Sequence, residues 1–280
     1  MMDKTTLTLL SATDLAAAAF PAPEAILAPI LSRSSQCLLY GPPGVGKSLV
    51  ALGIAHAAAT GGRFLGWHAP RPHRVLYLDG YTVPAEMQRR LALFGTPPPS
   101  LQFSLAADKP GEALDLSELE SQARLMAGWR RPELVVLDDL TSLAGPDAAT
   151  GRWSGLERFL LLQRRFGRAV LLVHHADRDS QRPGSSQPED VFDVVLAARR
   201  PPDWQAHDGA RVEIHVERAR SLPGDALEPI EAELRDGRWH WHFARPPKFE
   251  RGVALRDSGL GAEQTGRVLG ISQPPHDAEP

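Results

Sequence analysis

Gly41-Pro42-Pro43-Gly44-Val45-Gly46-Lys47-Ser48 sets four residues between Gly41 and Gly46 and follows them directly with a lysine and a hydroxyl. Glycines free the chain to turn successive backbone N–H groups toward phosphate oxygens, and a helix beginning after the loop adds positive partial charge. In such a loop Lys47 reaches the β- and γ-phosphate oxygens and the Ser48 hydroxyl ligates Mg²⁺. An apolar run at 36–40 precedes the loop and a helical pattern at 48–60 follows it, the order that the motif requires. Gly41, Pro42, Pro43, Gly44, Val45, Gly46, Lys47, Ser48 and Leu49 are therefore the expected binding residues, with ATP and Mg²⁺ as ligands.

Two further groups could complete this chemistry. Leu134-Val135-Val136-Leu137-Asp138-Asp139 reads as a buried strand ending in a carboxylate, which is what a Walker B element needs to hold a metal's water shell. Asp138 is the expected partner of Ser48 at the metal, with Asp139 as the alternative. His174 and His175 end the next apolar run, where a polar side chain can report on the γ-phosphate. By residue type alone that pair is as readily structural as functional.

These residues need a sheet that brings strand ends together. The runs at 36–40, 74–79, 133–138 and 169–174 are nearly continuous in apolar residues, as strands covered on both faces are. Helical patterns at 48–60, 84–94, 117–129 and 155–166 alternate with them, predicting an α/β fold with a largely parallel central sheet flanked by helices. Residues 95–100 read as a rigid surface connection, and residues 178–188, rich in Arg, Gly, Ser and Pro, as a loop. Further strands are predicted at 191–197, 211–218, 230–234 and 238–243, the last two joined by an Asp236-Gly237 turn, so that antiparallel strands extend the sheet toward the C-terminus. Residues 273–280 read as disordered.

Composition narrows the class. Cys37 is the one cysteine in 280 residues, which excludes an internal disulfide and a cysteine-cluster metal site. The apolar runs are far shorter than the ~20 residues of a membrane-spanning helix, and no secretory leader is evident, so a cytoplasmic protein with no membrane partner is expected. A net charge of −3 does not announce a nucleic-acid binder, although a local basic patch would not move it.

With these elements in order, the chain resembles the RecA-like ATPases and, within them, the RepA-type plasmid helicase group of AAA ATPases. The resemblance rests on the loop at 41–48, on Val75-Leu76-Tyr77-Leu78-Asp79-Gly80, on Val135-Val136-Leu137-Asp138, on Val173-His174-His175, and on Arg182-Pro183-Gly184-Ser185-Ser186. It implies an ATPase domain over residues 20–245, with an N-terminal extension at 1–19 and a tail at 246–280. It also implies a ring of copies, possibly a hexamer, with single-stranded DNA in its channel and a role as a helicase-like motor in plasmid or mobile-element replication. His175 would couple the γ-phosphate to DNA-contacting loops, residues 178–188 among them. Arg218-Ala219-Arg220 resembles the Lys-x-Arg finger that hexameric members insert into a neighbour's site, which makes Lys47, Asp138, His175, Arg218 and Arg220 the expected catalytic set. Arg182, Arg199 and Arg200 compete for the finger role.

One position departs from the pattern. Related ATPases carry a glutamate just after the second strand, where it polarises the attacking water. Here Tyr81 stands in its place, and a phenol titrating near pH ~10 is a poor base at neutral pH. Asp79 and Glu86 are the nearby substitutes. Slow hydrolysis, and hence a nucleotide-dependent switch or loader, is the alternative reading; a small-molecule kinase fits less well. At 253–272 the pattern looks like the opening of a helix-turn-helix with Gly270-Ile271-Ser272 as its turn, but Pro274-Pro275 argues against a recognition helix, leaving a relic or a protein-contact tail rather than a sequence reader.

Overall fold

The computed structural model describes residues 9–106, 115–127, 131–143, 154–175, 191–220, 222, 227–244 and 248–269. The expected loop at 178–188 with Arg182, the turn at 270–272 and the tail at 273–280 lie outside the described residues.

Helix α1 (Ala12–Ala17) is short and buries none of its residues. The small hairpin of β1 (Ala25–Leu27) and β2 (Leu31–Ser32) then leads into β3 (Gln36–Gly41), and the phosphate-loop pattern connects β3 to α2 (Lys47–Thr60). A second small hairpin, β4 (Arg63–Phe64) with β5 (Trp67–His68), precedes β6 (Val75–Asp79). After β6 come α3 (Pro84–Leu91), β7 (Leu101–Leu105), α4 (Leu119–Ala127), β8 (Leu134–Asp138), α5 (Leu140–Leu143), α6 (Ser154–Arg165) and β9 (Ala169–His175). The chain continues through β10 (Val194–Arg199), β11 (Arg211–Ala219), β12 (Ile230–Arg235), β13 (Arg238–Phe243), α7 (Lys248–Asp257) and α8 (Ala262–Leu269).

Nine strands form one sheet in the order β13-β12-β11-β10-β3-β9-β8-β6-β7. Six of them, from β10 to β7, run parallel, and β11, β12 and β13 extend the sheet antiparallel. The period-2 alternation of side chains explains why the central strands are apolar throughout. Leu39, Tyr77, Val136 and Leu171 face the core beneath α2, whereas Leu38, Leu78, Leu137 and Leu172 face the core under α6.

Three details differ from the sequence-based expectation. The run near 191–197 forms β10, which lies parallel beside β3, so the antiparallel extension starts one strand later at β11. Strand β7, on the sheet edge beside β6, was not anticipated: Leu101-Gln102-Phe103-Ser104-Leu105 alternates because only one face is well covered. The expected helix at 84–94 is α helical only to Leu91 and ends in a 3₁₀ turn at Ala92–Phe94. The predicted turn holds, with Asp236 and Gly237 both at positive φ of 52° and 72°, as a two-residue hairpin turn of the primed type requires.

Candidate nucleotide site

Parallel register delivers the chemistry to one end of the sheet. Gly41 pairs with His175 across β3 and β9, and Asp79 pairs with Asp138 across β6 and β8. Between these strand ends and α3 lies a cleft of about 910 Å³ lined by Lys47, Ser48, Asp79, Tyr81, Asp138 and His175, among others. Gly41 is required sterically, since a Cβ there would lie 2.3 Å from the Ala198 carbonyl oxygen of β10. Gly46 caps α2 at φ 104°, a left-handed conformation that glycine adopts without strain.

Within the loop the expected residues divide their work. Pro43, Gly44, Gly46, Lys47, Ser48 and Leu49 line the cleft, while the Val45 side chain is buried in the core. Gly41 and Pro42 contribute carbonyls: Lys47 Nζ donates to Gly41 O at 2.8 Å and to Pro42 O at 2.9 Å. Burial pulls the Lys47 pKa down to about 8, against the opposing pull of Asp138 and Asp139. The third partner of Nζ is His175 Nδ1 at 3.0 Å. An ammonium only donates, so Nδ1 accepts and the imidazole proton resides on Nε2, which faces Asp139 Oδ2 at 2.6 Å. Asp139 Oδ1 in turn accepts from the Ser142 N–H and hydroxyl, both at 2.9 Å, fixing the carboxylate at the start of α5. A continuous chain Lys47–His175–Asp139 thus joins the phosphate loop to the ends of β8 and β9.

Asp138 is the acid that faces Ser48: Ser48 Oγ donates to Asp138 Oδ1 at 3.2 Å. The other oxygen, Oδ2, accepts from the Tyr77 hydroxyl at 2.6 Å. Burial lifts the Asp138 pKa to about 6, with Tyr77 and Ser48 pulling the other way. A hydroxyl and a carboxylate so placed are hard oxygen donors suited to Mg²⁺ and its water shell. Asp139, the alternative acid, is committed to His175 and Ser142.

Tyr81, where an acid is expected, is 85% exposed at the cleft wall. Neither substitute acid is poised to replace it. Asp79 is buried, and its Oδ1 accepts the N–H groups of Tyr81 at 2.9 Å and Thr82 at 2.5 Å, a turn that starts the approach to α3. Glu86 accepts from Arg90 Nε and Arg89 Nε, both at 2.9 Å, and these guanidiniums hold its pKa low.

The arginines separate into two groups. Arg218 pairs across from Val195, which lies beside Leu38, and the Arg220 N–H donates to Asp193 O at 3.0 Å, level with Gln36 at the start of β3; neither lines the chain's own cleft. Arg220 also lies 3.8 Å from the Asp193 carboxylate. Arg199 donates to Glu217 at 2.6 Å. Arg200, weighed from sequence as a finger for a neighbour, reaches its own loop instead: Nη2 donates to Gly44 O at 3.1 Å, and the guanidinium lies 3.4 Å from the Trp204 ring centroid. Sequence reasoning passed over Arg200 in this role and gave Tyr77 no role of its own. The one available signal for Tyr77 was a phenol among the aliphatic residues of a buried strand, because a buried hydroxyl needs a partner.

A family model described as an AAA domain matches residues 3–181. Among solved structures, a KaiC-like protein from the hyperthermophilic archaeon Pyrococcus horikoshii OT3 superposes with a TM-score of 0.57. That similarity covers 76% of this chain and 91% of the other at 12% identity, and so speaks to the fold alone. No curated protein matches at a significant level. Among the described residues, no helix is long and apolar enough to cross a membrane. The fold is that of the RecA-like P-loop ATPases and the family model spans well over half of the sequence, so the chain belongs to the AAA domain family.

Proposed function

We propose that this ATPase binds MgATP in the cleft above β3, β8 and β9 and hydrolyses it slowly, so that nucleotide occupancy itself is its principal output. The backbone N–H groups of the loop cradle the phosphates, Lys47 neutralises the β- and γ-phosphate oxygens, and Ser48 with Asp138 holds Mg²⁺. The metal, when bound, neutralises charge on the phosphates. Tyr81 carries the slow-turnover reading: it fills the acid position, while Asp79 and Glu86 are each engaged by other donors. Phosphate oxygens drawing Lys47 away from Gly41 and Pro42 would also alter its contact with His175. The Lys47–His175–Asp139 chain therefore supports a role for His175 in reporting occupancy to the chain beyond β9.

A second reading, a ring motor on single-stranded DNA of the RepA-type helicase kind in plasmid or mobile-element replication, draws support from the place of Arg218 and Arg220. Neither is among the residues that line its own cleft, as a cation destined for a neighbouring copy's γ-phosphate requires. The C-terminal segment offers a contact for a protein partner. ATPase rates with and without single-stranded DNA, measured alongside oligomeric mass, separate the two readings. Slow turnover unaffected by DNA supports the switch; a several-fold rise with DNA in an ATP-dependent ring supports the motor; absence of ATP binding refutes both.

A further inference from the structure

We infer that Tyr77 is a positioning residue for the metal site, its buried hydroxyl clamping one oxygen of Asp138 so that the other is presented to Ser48. This rests on the reading of the cleft as a MgATP site. Tyr77 lies in the middle of β6 with no exposed surface, opposite Val136 of β8 and two residues before Asp79. Its ring packs in the core beneath α2, with Phe103 of β7 at 5.4 Å between centroids. Packing alone would be served as well by phenylalanine, and an unpartnered buried hydroxyl is costly. The hydroxyl has one proton to donate and two acceptors in reach: Asp138 Oδ2 at 2.6 Å and the Ser48 carbonyl at 3.4 Å. The short contact to the acid takes it, since hydrogen bonds to a carboxylate are the shorter and stronger kind.

The consequence is geometric. A carboxylate at a strand end turns readily about its last bond, and only one plane of the group lets one oxygen face the Ser48 hydroxyl, 3.2 Å away, while the other meets Tyr77. Ser48 alone is the weaker restraint, because its contact with the acid is the longer of the two and its side chain is free to rotate at the mouth of the cleft. Tyr77 reaches the acid from the opposite side, inside the core, and does not compete for the metal. Its shorter, fully buried hydrogen bond thus holds Asp138 in place independently of the ion, as partners of metal-ligating groups do elsewhere.

The test is Tyr77→Phe, which keeps the ring and removes only the oxygen. The readout is binding of a fluorescent ATP analogue titrated with Mg²⁺, alongside the same measurement in EDTA. We expect the Mg²⁺ concentration for half-maximal binding to rise about tenfold, the loss of one hydrogen bond to a charged group, with metal-free affinity within about twofold of the parent. An unchanged Mg²⁺ requirement overturns the inference. Asp138→Asn supplies the second arm: Tyr77→Phe should add little in that background if Tyr77 acts through the acid, and an equal effect in both backgrounds would show that it acts through packing. Failure of the parent chain to bind the analogue with Mg²⁺ would instead refute the MgATP reading itself.

Discussion

His175 Nδ1 lies 3.0 Å from Lys47 Nζ, so the residue that ends β9 is a direct partner of the cation that begins α2. Its other ring nitrogen bonds Asp139, the residue just after β8, which ties three strand and helix ends into one polar chain. Replacing His175 with Ala removes both contacts while Lys47 keeps the Gly41 and Pro42 carbonyls. The variant should still bind ATP and, on the motor reading, lose the rise of turnover with single-stranded DNA. A fluorescence binding titration paired with DNA-dependent ATPase rates checks this, and Lys47→Ala, expected to abolish binding, is the control.

Tyr81→Glu restores the carboxylate that related ATPases use to polarise water. Because Tyr81 is exposed on the cleft wall, the change costs little stability, and general-base assistance of this kind is worth ~10²–10⁴ in rate. Turnover should rise at least tenfold. An unchanged rate would mean that Asp79 or Glu86 leaves its present partners and already does this work.

Arg200→Ala frees the Gly44 carbonyl and uncovers the Trp204 ring. Loss of one such hydrogen bond from the loop should weaken ATP binding by about three- to tenfold. Tryptophan emission should change with it, by an amount that vanishes when Trp204 is replaced by Phe.

Far from the cleft, Glu133 is 5% exposed and faces Arg71 at 2.8 Å, the Arg74 N–H at 3.1 Å and the Arg74 guanidinium at 3.5 Å. Burial alone would raise its pKa, but these partners outweigh burial and hold it at about 2, against an ordinary value of 4.5. A carboxylate with a depressed folded pKa binds fewer protons folded than unfolded, so its stabilisation is complete above pH ~4.5 and is lost as pH falls toward ~2. Glu133→Gln should cost about 2 kcal/mol at neutral pH, between the values for exposed and buried pairs because the arginines are roughly half exposed. The variant should also lose much of the acid sensitivity between pH ~4.5 and ~2. Urea melts across that range measure both effects.

How much of this could be read from residues alone follows from the kind of information each feature carries. The loop from Gly41 to Ser48 is local: glycine, lysine and hydroxyl spacing, with strand before and helix after, leaves little room for another conformation. Asp138 and His175 were legible because both close continuous apolar runs, and parallel register then brings such ends together. Contacts that cross the sheet were not. Tyr77 touches Asp138 across 61 positions of sequence, and Arg200 touches Gly44 across 156. Nothing in the flanking residues of either predicts its partner. Strand β7 was missed for a related reason, since five alternating residues after a proline-rich turn carry too little pattern to separate an edge strand from a loop.

Nucleotide occupancy with slow turnover is tested most directly by mixing the chain with one equivalent of radiolabelled ATP and Mg²⁺ and following bound ATP and released phosphate in the same samples. The predicted result is tight binding of about one ATP per chain, lost in Lys47→Ala, with phosphate appearing far more slowly than the ~10 s⁻¹ typical of enzymes. Phosphate release near that typical rate in the unmodified chain, without DNA, would contradict the account.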